Sequence, residues 1–220
     1  MIKRFLAVVL VCLSVTVFAN DRMDIGTFSS GSLDGWQTKS FVGETEYTIV
    51  EEEGRPVLLA NSVGSASVLG RKIKIDLTKT PYVNWSWKVE RGLPKVDETT
   101  KSGDDFAARL YFVKSGGFAI WNTKALNYVW ASSQLRDTSW PNAFEPSNSI
   151  MHAVRGSWDP IGEWRHEKRN VREDFKKSFG KDIKSVNGVA IMTDTDNTGL
   201  RARAVSVSYT HLTLPTTPYV

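Results

Sequence analysis

Cysteine is nearly absent from this chain. The one present, Cys12, lies among the first twenty residues. The rest can therefore form neither an internal disulfide nor a cysteine-ligated zinc site. Histidine is almost as scarce: His152, His166 and His211 are all there are. A zinc centre takes three or four ligands, and two separated histidines in the body of the chain do not supply them. No G-x-S-x-G elbow occurs, which excludes the nucleophile turn of an α/β-hydrolase. A clustered basic excess is missing too. The formal charge is +4, with Lys and Arg spread along the chain, so no nucleic-acid footprint is present. After residue 18 no apolar run approaches the roughly 20 residues of a membrane-spanning helix.

The two ends differ from what lies between them. "MIKRFLAVVLVCLSVTVFAN" has Lys3 and Arg4, an apolar run from Phe5 to Phe18, and small residues up to Ala19. That pattern is a secretory signal peptide, expected to be cleaved after Ala19, which places the protein in the periplasm or outside the cell. Its loss removes Lys3 and Arg4 and leaves a charge of +2. The closing "SVSYTHLTLPTTPYV" contains no Asp, Glu, Lys or Arg. Residues 208–220 read as a non-native or disordered tail expected to pack on nothing. Residues 20–207 remain as a single domain with one core.

Within that domain, alternation dominates. "YVNWSWKVE" (82–90) sets Val83, Trp85, Trp87 and Val89 on one face and polar residues on the other, the period of a half-buried strand. "RKIKIDL" (71–77) and "DFAARLYFV" (105–113) behave alike, the second with Phe106, Ala108, Leu110 and Phe112 inward. Further strands are predicted at 45–51, 56–61, 118–121, 125–131, 149–155, 163–168, 187–193 and 201–207, separated by Gly-, Pro- and Asp-rich turns. In "NVREDFKKSFG", Asn170 is an N-cap with Glu173 at N3, and Gly180 is a C′ residue, which predicts one helix near 171–179. Many short strands and one helix give an all-β fold, an antiparallel β-sandwich of jelly-roll type. The longest loops are 91–104 and 132–148.

Several stretches together resemble a bacterial secreted family known as domain of unknown function 3047: "FSSGSLDGW" (28–36), "TPYVNWSWKV" (80–89), "GDDFAARLYFV" (103–113), "ALNYVWASS" (125–133), "RNVREDFKKSFG" (169–180) and "VAIMTDTDNTGLRARA" (189–204). The opening "F…LDGW" and the late helix followed by two strands are also similar to galactose-binding-like jelly rolls. The resemblance implies a fold and a compartment. It implies no chemistry.

Eight tryptophans are the unusual feature of the composition. By phase, Trp85, Trp87 and Trp130 belong to the core. Arg109 and Tyr111 point opposite to Leu110 and Phe112, Trp121 opposite to Ile120, and Asn127 opposite to Leu126, while Trp140 sits in a long loop. Arg109, Tyr111, Trp121, Asn127 and Trp140 are thus the expected ligand-binding set. Aromatic faces stack on sugar rings, and amide or guanidinium groups bond hydroxyls. The competing reading covers both sheet faces and makes these aromatics a second small core.

Two other clusters are candidates for chemistry. In "DTDNTG", Asp194 and Asp196 hold the first and third positions of a calcium loop, but Val205 occupies the twelfth, where an EF-hand needs a carboxylate. A looser calcium site would draw on Asp104 as well. The alternative is a turn closed by Asx bonds and Gly199. A glycosidase would need a carboxylate pair, for which Asp104 or Asp105 would partner Glu145 or Glu163. His152 lies in phase with Ile150 and Val154, a core or rim position. The function expected from the sequence is non-catalytic binding of a carbohydrate or other envelope ligand. The alternatives are a carboxylate-dependent hydrolase of envelope glycans and a structural or protein-partner module. No nucleic acid and no membrane span are expected.

Overall fold

The structure is a computed structural model, in which the backbone of residues 23–119 and 122–213 and the side chains up to Ser206 are described. Two sheets face each other. The larger has seven strands in the order β1 (Gln37–Val42), β4 (Ala66–Asp76), β11 (Ser185–Asp194), β6 (Arg109–Lys114), β7 (Lys124–Trp130), β9 (Ser149–Arg155) and β8 (Ser139–Pro141). The smaller runs β10 (Arg165–Asn170), β5 (Tyr82–Arg91), β12 (Arg201–Thr213), β3 (Arg55–Val63), β2 (Glu46–Glu52). Every pairing is antiparallel except β7 with β9. This is the predicted antiparallel-rich β-sandwich.

The core forms where alternation placed it. Val83, Trp85, Trp87 and Val89 of β5 are buried against Leu110 and Phe112 of β6, Leu126 and Tyr128 of β7, and Val189 and Ile191 of β11. The rings of Trp85 and Tyr128 stack at 5.4 Å across the sandwich. Each large apolar side chain so buried contributes about 1.5–3 kcal/mol.

Helix α1 (Val171–Phe179) starts and stops as its caps dictate. Asn170 Oδ1 accepts from Glu173 N at 3.1 Å, and Gly180, at φ 65°, donates its N–H to Lys176 O at 2.9 Å. Val171 and Phe175 enter the core. Tyr128 Oη donates to Asp174 Oδ2 at 2.8 Å, which pins the helix to β7.

Four expectations need correction. The strand predicted over 105–113 begins only at Arg109. Residues 105–108 are irregular, because Phe106 N–H is drawn to Asp194 Oδ1 (3.1 Å) and Asp194 N–H to Phe106 O (3.1 Å). Phe106 therefore leaves the phase of Leu110 and Phe112 and packs elsewhere. Phe118, predicted to open a strand, lies in a turn and is fully exposed, while residues 120–121, Trp121 included, are outside the described residues. Strands β1 and β8 went unpredicted: all six residues of β1 are exposed, so no apolar alternation marks it, and β8 has only three residues. Finally, β12 continues into the expected tail, with Thr210 opposite Asn84 and Thr213 opposite Tyr82 of β5.

Candidate functional site

The seven-stranded sheet has an outer face, away from the core. Register places one residue from each strand in a row across it: Gln37, Gly70, Ala190, Tyr111, Asn127, Met151 and Trp140. One half of this face is covered. The loop after β5 lays Phe106 on Val129, Met151, Ala153 and Trp140, which form a second, smaller core. Trp140 is thereby corrected. It is a buried strand residue, its ring stacked with Phe106 at 6.3 Å and its Nε1–H donating to Glu98 O at 3.2 Å. Buried Glu98 also accepts from Ser132 N, Ser133 N and Gln134 N, joining the two longest loops into this cover.

The other half is open. Tyr111, Asn127 and Arg109 line a concavity of about 700 Å³ together with Phe41, Asp104, Asn142 and Glu145. Three of the five residues expected to bind ligand therefore meet in one place. Phe41, exposed on edge strand β1, was missed because nothing marked β1 as a strand.

Arg109 is buried rather than exposed, which corrects its expected role. Its guanidinium lies 4.2 Å over the Phe106 ring and pairs with Asp194 (2.8 Å) and Asp104 (3.4 Å). It also donates to Asp104 O at 2.8 Å and to Tyr111 Oη at 2.9 Å. The neighbouring carboxylates hold its pKa above the usual guanidinium range despite burial. Tyr111 Oη in turn donates to Met192 Sδ at 3.0 Å. Burial pushes the Tyr111 phenol up to about 12, so it keeps its proton. Arg109 thus fixes Tyr111 from behind. Asn127 is fully buried, with its amide N–H groups donating to Ser149 Oγ (2.8 Å) and Ile150 O (3.0 Å). Among the described residues its Oδ1 has no hydrogen-bond partner.

The acidic group assembles differently from expectation. Asp105, Asp194 and Asp196 bring carboxylate oxygens within 4.8 Å of one another. Asp104 is turned away, toward Arg109 and Asn142 Nδ2 (2.9 Å). Protein donors already occupy this group. Asp105 accepts from Asn197 N and Nδ2 and from Thr198 N and Oγ1 at 2.6–3.2 Å. Asp194 accepts from Phe106 N and Arg109. Gly199, at φ 69°, closes the turn with its N–H on Thr195 O at 2.9 Å. These bonds make 194–199 an ordered turn, but it carries the chain from β11 in the larger sheet to β12 in the smaller one, which corrects the expected hairpin between paired strands.

Of the remaining candidates, Glu163 pairs with Arg165, the first residue of β10 in the smaller sheet, whereas Asp104 lies in the loop before β6 and pairs with Arg109 of the larger one. His152 sits at the rim as its phase implied. Its Nδ1 is 2.6 Å from Ser139 Oγ, while its Nε2 is 3.8 Å from Asp137, beyond hydrogen-bond reach. Burial and the Arg169 cation depress its pKa. Among the described residues, no helix is long and apolar enough to cross a membrane.

The chain belongs to the family described as Protein of unknown function (DUF3047), which matches residues 34–208. No curated protein matches it. Among solved structures it is similar to the family 30 carbohydrate-binding module of a cellulosomal cellulase of Clostridium thermocellum. Identity is 14%, the TM-score 0.53, and 88% of this chain and 99% of that one are covered. It is also similar to the family 11 module of the cellulase Lic26A-Cel5E of the same organism, at 8% identity and TM-score 0.48, covering 88% and 95%. At 14% identity, what the chain shares with the family 30 module is the fold.

Proposed function

We propose that this protein is a secreted or periplasmic carbohydrate-binding module whose ligand lies on the open half of the outer face, over Tyr111. The observation that carries this reading is the concavity of about 700 Å³ where Tyr111 and Asn127 stand on adjacent strands. Tyr111 offers an aromatic ring held in place by Arg109. Asn127, fully buried and held by its amide hydrogen bonds to Ser149 Oγ and Ile150 O, forms part of the floor beside that ring. Exposed Phe41 adds a second ring at the edge. Trp121, expected in the same set from its phase, remains part of the proposal from sequence alone. The family 30 module, named as carbohydrate-binding, shares this sandwich, which supports the reading without identifying a sugar.

A glycan array with the full chain, followed by titration of Tyr111→Ala, tests it. The variant should lose about 1–3 kcal/mol of binding, the scale of an aromatic contact area. Retention of no glycan, or undiminished binding by Tyr111→Ala, would sink the proposal.

A further inference from the structure

A second concavity, of about 520 Å³, lies on the same outer face. It adjoins the first. Val68, in its lining, is the register partner of Met192 in the other, and Val113 is the partner of Ala125. Between the two, the row from Gln37 to Tyr111 passes through Gly70 and Ala190, which raise almost nothing above the sheet. The result is one trough across β1, β4, β11, β6 and β7. Four strand spacings make it about 19 Å long, more than one sugar ring occupies.

The two ends differ in charge. The Tyr111 end carries Asp104 and Glu145, and its one cation, Arg109, is already paired with Asp104 and Asp194. The far end is lined by Lys39, Arg71 and Lys72 and by no carboxylate. Arg71 is committed to Ile25 O. Lys39 and Lys72 are exposed and make no ion pair among the described residues. Lys39 lies 5.2 Å over the Phe41 ring. They bracket Gly70: Lys39 stands beside Val68, two residues before it, and Lys72 two residues after it. A lysine on edge strand β1 also blocks unwanted strand addition, but β4 is an interior strand, so Lys72 has no such duty. Two unpaired cations over a recess free of carboxylates concentrate positive potential there.

Building on the binding reading above, we propose that the ligand is an acidic glycan. A neutral ring lies over Tyr111, and a carboxylate- or sulfate-bearing ring lies between Lys39 and Lys72. The trough thus reads charge at one end and ring shape at the other.

Calorimetric titration of the full chain with three probes tests this: an oligogalacturonate, a sulfated galactan oligosaccharide and a neutral cello-oligosaccharide. The comparison protein carries Lys39→Gln and Lys72→Gln. At least one charged probe should bind the wild type more tightly than the neutral one, and the one that does identifies the anion. The double variant should bind it about tenfold more weakly, equivalent to about 1.4 kcal/mol, and added salt should shrink the difference. Equal binding of charged and neutral probes, unchanged in the variant, would overturn the acidic ligand and leave carbohydrate binding standing. Binding of none of the three, with an empty glycan array, would overturn both.

Discussion

Arg109 Nη2 on β6 and Asp194 Oδ2 at the end of β11 stand 2.8 Å apart, and both side chains are buried. This pair joins two otherwise separate parts. On one side Asp194 accepts from Phe106 N and fixes the loop that covers half of the outer face. On the other, Arg109 holds Tyr111 Oη at the open half. Asp194→Ala should therefore cost about 3 kcal/mol of stability, at the low end for a broken buried pair because Asp104 stays at 3.4 Å. Urea denaturation measures it, and a loss below about 0.5 kcal/mol, the scale of an ordinary surface change, would show that the pair is not structural. Because protein donors already hold Asp194 and Asp105, the melting temperature should be the same with calcium and with chelator. A calcium-dependent rise would mean that a cation displaces Arg109.

Asp196 gives a prediction about pH. Burial, and then the nearby Asp105 charge, raise its pKa. A carboxyl raised in the folded state stabilises fully below its unfolded value of about 3.9. That contribution is lost as pH rises through the folded value. At neutral pH the ionised group opposes folding. Asp196→Asn should accordingly raise stability at neutral pH and leave it unchanged below about pH 3.9. Denaturant melts across the acid range check this, and a variant less stable than wild type at neutral pH would contradict it.

Trp140 distinguishes a core residue from a binding residue. Stacked on Phe106 and bonded to Glu98 O, it should cost about 3–5 kcal/mol when cut to alanine, as buried aromatics do. Near-wild-type stability with lost glycan binding would return it to the ligand set.

Gly70 tests the trough. A Cβ built there meets only Ala190 Cβ at 3.8 Å and Gln37 O at 4.0 Å, ordinary contacts. Gly70→Phe should then fold with nearly unchanged stability while its ring fills the trough, so that binding of any glycan spanning it falls by more than about tenfold (about 1.4 kcal/mol). Full binding by a folded Gly70→Phe protein would place the ligand elsewhere.

Sequence alone determined what depends on period and local chemistry. Alternation at Val83, Trp85, Trp87 and Val89 dictated a core strand whatever its partners, because side chains of a strand alternate between faces. Asn170 and Gly180 set the ends of the helix through bonds within a few residues. The phase that set Arg109, Tyr111 and Asn127 opposite the core residues was equally legible. What phase cannot report is whether the opposite face is open, since that depends on where a distant loop comes to rest. Phe106 left its alternation because Asp194, 88 residues away, accepts its N–H. In leaving, it covered Trp140 and buried the Arg109 guanidinium. Phe41 stayed hidden for the converse reason: an edge strand exposed on both faces carries no apolar signal, and only its pairing with β4 brings it to the trough. Tertiary structure decided which half of one face is core and which half is free to bind, because covering a sheet is a long-range event and alternation is a local one.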